Sequence, residues 1–196
     1  MKLKTKSCAA TLLCLAMLGA AGTAGAAVEA GNGAEARLLI SAVESGKVGL
    51  LRSLVANGAN VNAVSRGDGT ALISAVRRGD PALIDELLKL GADVNLSAPG
   101  DGSPLIEAAK GGDAGLVKKL LAAGARPNTV VQGDETALIN AARRGDLALV
   151  KLLVAGGAEV NLGAADPDRH GKLLTPLNQA GDDAVRQFLA AHGARN

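Results

Sequence analysis

Residues 67–96 read GDGTALISAVRRGDPALIDELLKLGADVNL, and this stretch decides the fold because close copies of it recur along the chain. The Gly-Ala pairs near the end of each copy begin at Gly58, Gly91, Gly124 and Gly157, in steps of 33 residues. A fixed period of this length is typical of a solenoid, in which each unit buries its apolar face only against its neighbours. The sequence therefore predicts stacked repeats, an architecture that more often provides a binding surface than a catalytic pocket.

Each copy encodes two short helices. In the copy quoted above, Thr70 is the predicted N-cap of a helix over 71–78, which ends at Gly79. Asp80 is predicted to cap the second helix, whose first residue is a proline and whose apolar side chains form one stripe. A glycine with a positive φ angle is expected to follow each helix.

The first and last copies depart from the pattern. Asn32 followed by Glu35 predicts a capping box for a helix over 36–44. In the last copy, Thr175 and Gly181 are six residues apart instead of nine, so its first helix is expected to be nearly a turn short. Terminal repeats differ because each presents one face to water. The chain divides into a signal peptide (1–26), an N-terminal lead-in (27–35) and a repeat domain (36–196), with repeats at about 36–66, 67–99, 100–132, 133–165 and 172–196.

The first residues predict export. Three lysines within 1–6 precede an uncharged stretch from 7 to 28, and the small residues around Ala26 resemble a signal-peptide cleavage site. An uncleaved membrane anchor is the alternative, but the second half of the stretch is rich in Ala and Gly and only weakly apolar. We expect a mature protein that begins at Ala27, is not inserted in the membrane, and is periplasmic or else secreted.

Composition argues against several chemistries. Both cysteines, Cys8 and Cys14, lie in the predicted leader, so the mature chain would have no thiol. Phe188 is the one aromatic residue, which leaves little capacity for base or carbohydrate stacking. Without the leader lysines the charge is close to neutral, and nucleic-acid binding is not expected. Motifs such as H-E-x-x-H and G-x-S-x-G are absent, so we expect neither an enzyme nor a cofactor.

Taken in order, the Gly-Asp turn, the Thr-Ala-Leu or Ser-Pro-Leu opening, the Ala-Ala-x-x-Gly helix end and the Gly-Ala-x-x-Asn exit resemble the ankyrin-repeat family over 34–194. The resemblance implies an all-α solenoid of about five helix-turn-helix repeats with β-turn fingers, the turns that project between repeats. It also implies protein–protein binding through the fingers and the first-helix face. Isoleucine replaces the family's usual histidine after the helix-opening leucine, and the nearest members in style are bacterial and exported.

The family's variable contact positions lie at the end of the first helix and at the fingertip. The resemblance therefore implies these partner-binding residues: Arg66, Arg77, Arg78, Lys110, Gln132, Glu135, Arg143 and Arg144. We use the term basic row for the cationic residues at the helix ends: Arg77, Arg78, Lys110, Arg143 and Arg144. One hypothesis is that the basic row of a monomeric array binds an acidic patch on a partner protein. The other is that its side chains pair with the acids of the Gly-Asp turns or with water.

A loop over 162–174 is a second candidate site, because it is six residues longer than its counterparts in the other repeats. Asp166, Asp168 and His170 could ligate a divalent ion, but only three ligands are present, and a polar insertion without metal is the preferred interpretation. The alternative function is therefore an extracytoplasmic sensor or stress-protection factor with a ligand or metal contact in this loop.

Overall fold

The computed structural model describes residues 24–132, 134–165 and 173–195. Within them the chain forms short helices and two small hairpins, so the predicted all-α repeat architecture is confirmed. The helices are α1 (Ala24–Glu44), α2 (Val48–Ala56), α3 (Ala71–Arg78), α4 (Pro81–Lys89), α5 (Pro104–Gly111), α6 (Ala114–Ala122), α7 (Ala137–Arg143), α8 (Leu147–Ala155) and α9 (Asp183–Ala191). The strands are β1 (Val64–Ser65), β2 (Gly69–Thr70), β3 (Ala164–Ala165) and β4 (Leu173–Leu174).

The helices pack in two layers. The first helices of successive repeats, α1, α3, α5 and α7, contact one another in that order. The second helices lie behind them, with α6 on α8 and α8 on α9. In the first four repeats the second helix also packs against the first helix of its own repeat. A repeat thus buries its apolar side chains between its own helices and against the next repeat, as expected for a solenoid.

The local signals predicted for the second repeat are confirmed. The Oγ1 atom of Thr70 accepts a hydrogen bond from the N–H of Ile73, 3.2 Å away, and caps α3. Asp80 accepts from two N–H groups in the first turn of α4. Gly79 has φ 67° and Gly91 has φ 91°, so both end their helices in the left-handed region. These features form because their partners lie within a few residues along the chain.

Two predictions for the terminal repeats are wrong. Helix α1 begins at Ala24 and runs for 21 residues, so Asn32 lies inside it and does not cap a helix over 36–44. A capping side chain acts only where the residues before it are not helical, and here the residues from Ala24 onward are helical. In the last repeat the residues from Pro176 to Gln179 form turns instead of a shortened helix. An isolated turn has too few backbone hydrogen bonds to offset the cost of helix nucleation.

The two ends of the array differ in polarity. The core position of the second helices is fully buried in four repeats; its occupants are Leu51, Ile84, Val117 and Val150. In the last repeat the same position holds Arg186, which contacts Asp183 and the carbonyl of Ala180. At the other end Leu38 and Leu50 are 55% and 45% exposed. The C-terminal end is therefore closed by a charged residue, whereas the N-terminal end exposes two leucines.

The fingers are short antiparallel turns at the edge of the first-helix layer. Val64 pairs with Thr70 across the first finger, and a single bridge between Ala98 and Gly102 closes the second. Each finger leads directly into the N-cap of a first helix. This continuity places the finger acids of one repeat beside the first-helix end of the preceding repeat.

Candidate protein-binding face

The basic row lies at the C-terminal ends of the first helices. Arg77 and Arg78 end α3, Lys110 lies in the last turn of α5, Arg143 ends α7, and Arg144 is the C-cap of α7. The first helices of these repeats have similar lengths, so equivalent residues recur at the same height in each. The basic row therefore follows the stacking direction of the array.

Arg77 is held by two carboxylates of the following repeat. Its Nη2 atom lies 2.6 Å from Oδ1 of Asp101 in the finger, and its Nε lies 3.0 Å from Oε2 of Glu107 in α5. The side chains of Asp101 and Glu107 are only 9% and 11% exposed. Carboxylates with so little access to water need a cation or several hydrogen-bond donors nearby. The charge of Arg77 is thus largely compensated within the protein.

Lys110 likewise contacts a finger acid of the following repeat, but its second carboxylate belongs to its own helix. Its Nζ atom lies 2.9 Å from Oε1 of Glu107 and 2.9 Å from Oδ1 of Asp134 in the next finger. Glu107 consequently bridges Arg77 and Lys110. Our sequence interpretation did not include Glu107, although its position holds Ser74 and Asn140 in the neighbouring repeats. The available signal in the sequence was that one repeat has a carboxylate at a position that is neutral in both neighbouring repeats.

Burial and charge have opposite effects on these two cations. Burial acts to lower the pKa of Arg77, but the hydrogen bonds and charges of Asp101 and Glu107 outweigh it, and the pKa is raised. Burial likewise acts to lower the pKa of Lys110, and its contacts with Glu107 and Asp134 raise it overall. Both side chains remain charged at neutral pH. For these two residues the structure shows the pairing with turn acids that the second hypothesis describes.

Arg143 is also engaged within the chain. Its Nη2 contacts Oε1 of Glu135 and donates to Oε1 of Gln179, 2.9 Å away. Glu135, which the resemblance placed among the partner-binding residues, is therefore paired with Arg143. The other two fingertip residues of that set, Arg66 and Gln132, are exposed.

Arg78 and Arg144 each donate a hydrogen bond to a backbone carbonyl of the preceding repeat. Nη1 of Arg78 donates to the carbonyl of Glu44, 2.6 Å away, and Nη1 of Arg144 donates to the carbonyl of Lys110 at 3.1 Å. Both carbonyls belong to the last turn of the preceding first helix, where unsatisfied acceptors and the helix dipole favour a cation. Nε of Arg78 also lies 3.8 Å from Oδ2 of Asp80. These two guanidinium groups are oriented by the stacking of the repeats.

A glycine makes room for the Arg144 guanidinium. A Cβ atom at Gly112 would collide with Nη2, Cζ and Nε of Arg144. Gly46 occupies the corresponding place beneath Arg78, where an added Cβ would lie 3.5 Å from Nη2. Gly112 therefore has a second role, because it leaves space for Arg144, whereas a Cβ at Gly46 would make only an ordinary contact with Arg78.

The face as a whole is charge-balanced and not basic. Six acids lie among the cations: Glu44, Asp68, Asp101, Glu107, Asp134 and Glu135. Two open cavities occur between repeats on this face. One of about 290 Å³ is lined in part by Glu44, Asp68 and Ser74, and one of about 430 Å³ is lined in part by Glu107 and Lys110. The surface thus offers shallow, polar recesses suited to individual side chains of a partner.

The insertion loop cannot be assessed in the same way, because Asp166, Asp168 and His170 lie outside the described residues. Over 24–132, 134–165 and 173–195, no group of three or more His, Cys, Asp or Glu side chains is placed to hold a metal ion. Among the helices described, none is both long enough and apolar enough to cross a membrane.

Comparison with known protein families agrees with the repeat geometry. A family model described as ankyrin repeats in many copies matches residues 39–85, and one described as ankyrin repeats in three copies matches residues 105–196. Together the two matches cover more than two thirds of the chain. Among curated proteins no match to the sequence is found. The paired helices, the fingers and the two matches lead to one conclusion, which is that the chain belongs to the ankyrin-repeat family.

Proposed function

We propose that this protein is a bacterial binding module, exported to the periplasm, which docks a partner protein on its first-helix and finger face and catalyses no reaction. Ankyrin repeats generally mediate protein–protein binding. In our proposal the array acts as a monomer, and the partner presents an acidic patch. The observation that carries the proposal is the fixed orientation of Arg78 and Arg144.

These two arginines are suited to bind carboxylates. Each uses one Nη1 donor on a backbone carbonyl and is otherwise substantially exposed, so further N–H donors remain for a bidentate contact. Their anchoring reduces the conformational entropy that binding would otherwise remove. Because α5 lies between α3 and α7, and packed helices are about 8–10 Å apart, the two groups should be roughly 20 Å apart. The expected acidic patch therefore has carboxylates at about this separation.

Export rests on the leader. Lysines at the start, an uncharged stretch and small residues before Ala27 are the features of a secretory signal. Cleavage after Ala26 would remove only the first three residues of α1, which begins at Ala24. Cell fractionation with N-terminal sequencing tests this. A periplasmic protein that begins at Ala27 is expected, and a cytoplasmic protein retaining its first 26 residues would refute export.

The binding proposal is tested by charge reversal. The double variant Arg78→Glu, Arg144→Glu is compared with wild type in crosslinking from the periplasm followed by mass spectrometry. A matched control, Lys118→Glu with Arg126→Glu, makes the same change in net charge at exposed residues away from the basic row. We expect the partner to be lost from the first variant and retained by the second. Equal recovery with both variants would refute a role for these arginines.

A further inference from the structure

The pattern of ion pairs along the face is interrupted at the junction of the first two repeats. Arg77 and Lys110 reach the acid that lies 24 residues further on, in the next finger. At the equivalent position the first repeat has Glu44, and 24 residues further on lies Asp68. An acid thus stands where the following repeats place a cation, opposite another acid.

The two later junctions show which kind of side chain binds at the equivalent position. Between the second and third repeats, the Arg77 guanidinium lies between Asp101 and Glu107, at 2.6 and 3.0 Å. Between the third and fourth repeats, the Lys110 ammonium lies between two carboxylates, each at 2.9 Å. A finger acid together with Glu107 therefore binds a cation at each of two successive junctions, an arginine at one and a lysine at the other. Because both later junctions bind a cation at this place, we also expect a cation at the first junction.

Asp68 is accessible where its equivalents are not. Asp101 and Asp134 are 6% and 9% exposed, whereas Asp68 is exposed. Its Oδ2 accepts a hydrogen bond from Oγ of Ser65 at 2.8 Å. Within the described part of the chain, no Lys, Arg or His nitrogen lies within 4.0 Å of the carboxylates of Glu44 or Asp68. None of the described residues thus acts as a counterion for this pair.

A cavity of about 290 Å³ opens at this junction. Its lining includes both carboxylates, the side chain of Ser74 and the apolar side chain of Ile40. Ser74 lies 30 residues after Glu44, the same separation that Glu107 has from Arg77. The cavity therefore combines acceptors for a charged head group with an apolar wall for an aliphatic stem.

Two arginines also line the cavity, but they do not reverse its charge. The guanidinium of Arg77 is bound to Asp101 and Glu107, and Arg78 is bound to the Glu44 carbonyl and lies near Asp80. Counting those partners, and Lys110, which also binds Glu107, five carboxylates surround three cationic side chains. The carboxylates are Glu44, Asp68, Asp80, Asp101 and Glu107. The C-terminus of α1, which ends at Glu44, adds partial negative charge. The local field therefore favours a further cation.

We propose that this junction is a receptor site for one lysine or arginine side chain of the partner protein, bound by Glu44, Asp68 and Ser74. The incoming cation would take the place that Arg77 and Lys110 occupy at the later junctions. The proposal rests on the proposed function for the source of that side chain, which is the docked partner. It also orients the partner, with a basic residue at the first finger and acidic residues along Arg78 and Arg144.

The site is tested with small probes on the full chain. N-acetyl-lysine methylamide is titrated at low salt and followed by backbone amide chemical shifts, and the uncharged N-acetyl-norleucine methylamide serves as the control ligand. We expect saturable shifts at Glu44, Asp68 and Ser74 with the lysine probe and none with norleucine. Shifts that map elsewhere, or equal shifts with both probes, would overturn the proposal.

The variant Glu44→Arg supplies the cation from within the chain, as the second and fourth repeats do with Arg77 and Arg143. It should fold normally and lose the saturable shifts, whereas Glu159→Arg, with the same charge change at an exposed residue elsewhere, should retain them. Retention in Glu44→Arg would refute the site. Because the probes are not the partner, this result is independent of the crosslinking experiment with the Arg78 and Arg144 variants. If the crosslinking experiment shows no role for Arg78 and Arg144, the cation site is not refuted. If the probe titration refutes the cation site, the role of the two arginines is not refuted.

Discussion

The side-chain oxygen of Asn62 accepts a hydrogen bond from the N–H of Asp93, 2.8 Å away and 31 residues further along the chain. The same amide donates to the carbonyl of Gly91 at 3.1 Å. The second, third and fourth repeats make both bonds again, through Asn95, Asn128 and Asn161. One asparagine per repeat therefore ties each loop to the next and satisfies backbone groups that the glycine turn leaves without helical partners.

The first prediction concerns this amide. Replacement Asn95→Ala removes the bonds to Gly124 and Arg126 and should lower the free energy of unfolding by about 1–3 kcal/mol, since each bond contributes about 0.5–1.5 kcal/mol. Urea unfolding measures the difference. Asn57→Ala is the control, because that side chain bonds only the carbonyl of Ser53 in its own repeat. An equal loss of unfolding free energy in both variants would show that the bonds between repeats contribute no more stability than a bond within one repeat.

The second prediction concerns pH. Hydrogen bonds from Arg52 hold the pKa of Glu86 below its usual value, against the opposing effect of burial, and also raise the pKa of Arg52. A lowered folded-state pKa contributes stability above the unfolded-state pKa of about 4.3, and this is lost as pH falls through the folded-state value. Glu86→Gln should therefore lower the urea midpoint at pH 7, and the difference from wild type should shrink below about pH 4.

Glu159→Gln serves as the reference for this pH series, because its carboxylate contacts an asparagine instead of an arginine. A constant difference between Glu86→Gln and wild type from pH 7 to pH 3 would contradict the assignment of the pKa shift to Arg52.

The third prediction separates stability from binding. Gly79→Ala and Gly112→Ala both place a Cβ at a positive φ, 67° and 75°, and each should cost about 1–2 kcal/mol in unfolding free energy. Only at Gly112 does the new Cβ collide with a guanidinium, that of Arg144. Since a flexible side chain can move away, the two variants should be similarly stable, but Gly112→Ala should weaken partner recovery more. Equal recovery would argue against a role for the orientation of Arg144.

The fourth prediction concerns the exposed N-terminal end. Leu38→Gln and Leu50→Gln should each change the unfolding free energy by less than about 1 kcal/mol, because both side chains are half exposed already. Leu83→Ala, at the buried equivalent of Leu50, should cost about 2–5 kcal/mol. Light scattering should give the monomer mass for wild type and for the two glutamine variants. A wild-type dimer that these variants dissociate would refute the proposed monomer.

How far the sequence predicted the structure depended on the distance between interacting residues. Thr70 and Asp80 cap their helices as expected, because each cap bonds a backbone group two or three residues away. Asn32 shows the limit of such local signals. Its capping pattern is present, but helix α1 continues through it from Ala24, since a cap is used only where the preceding residues leave the helix.

The candidate face was predicted less completely. The resemblance placed Arg77 and Lys110 at the surface, but it did not show that Glu107 lies between them. That contact joins residues 30 positions apart, and it depends on how closely one finger and helix pack on the preceding repeat. Neither the charge pattern nor the repeat period of the sequence gives the distance between side chains of adjacent repeats. For the same reason the sequence did not show that Glu44 and Asp68 line one cavity, with no lysine, arginine or histidine nitrogen of the described residues within 4.0 Å of their carboxylates.

The sequence alone determined the repeating unit, its helix ends and its order along the chain, because these follow from residues that interact within one turn or one loop. Tertiary structure alone decided which charges are compensated and which remain available to a partner. Compensation requires side chains of different repeats to come within hydrogen-bond distance, and only the stacking of the helices sets that separation.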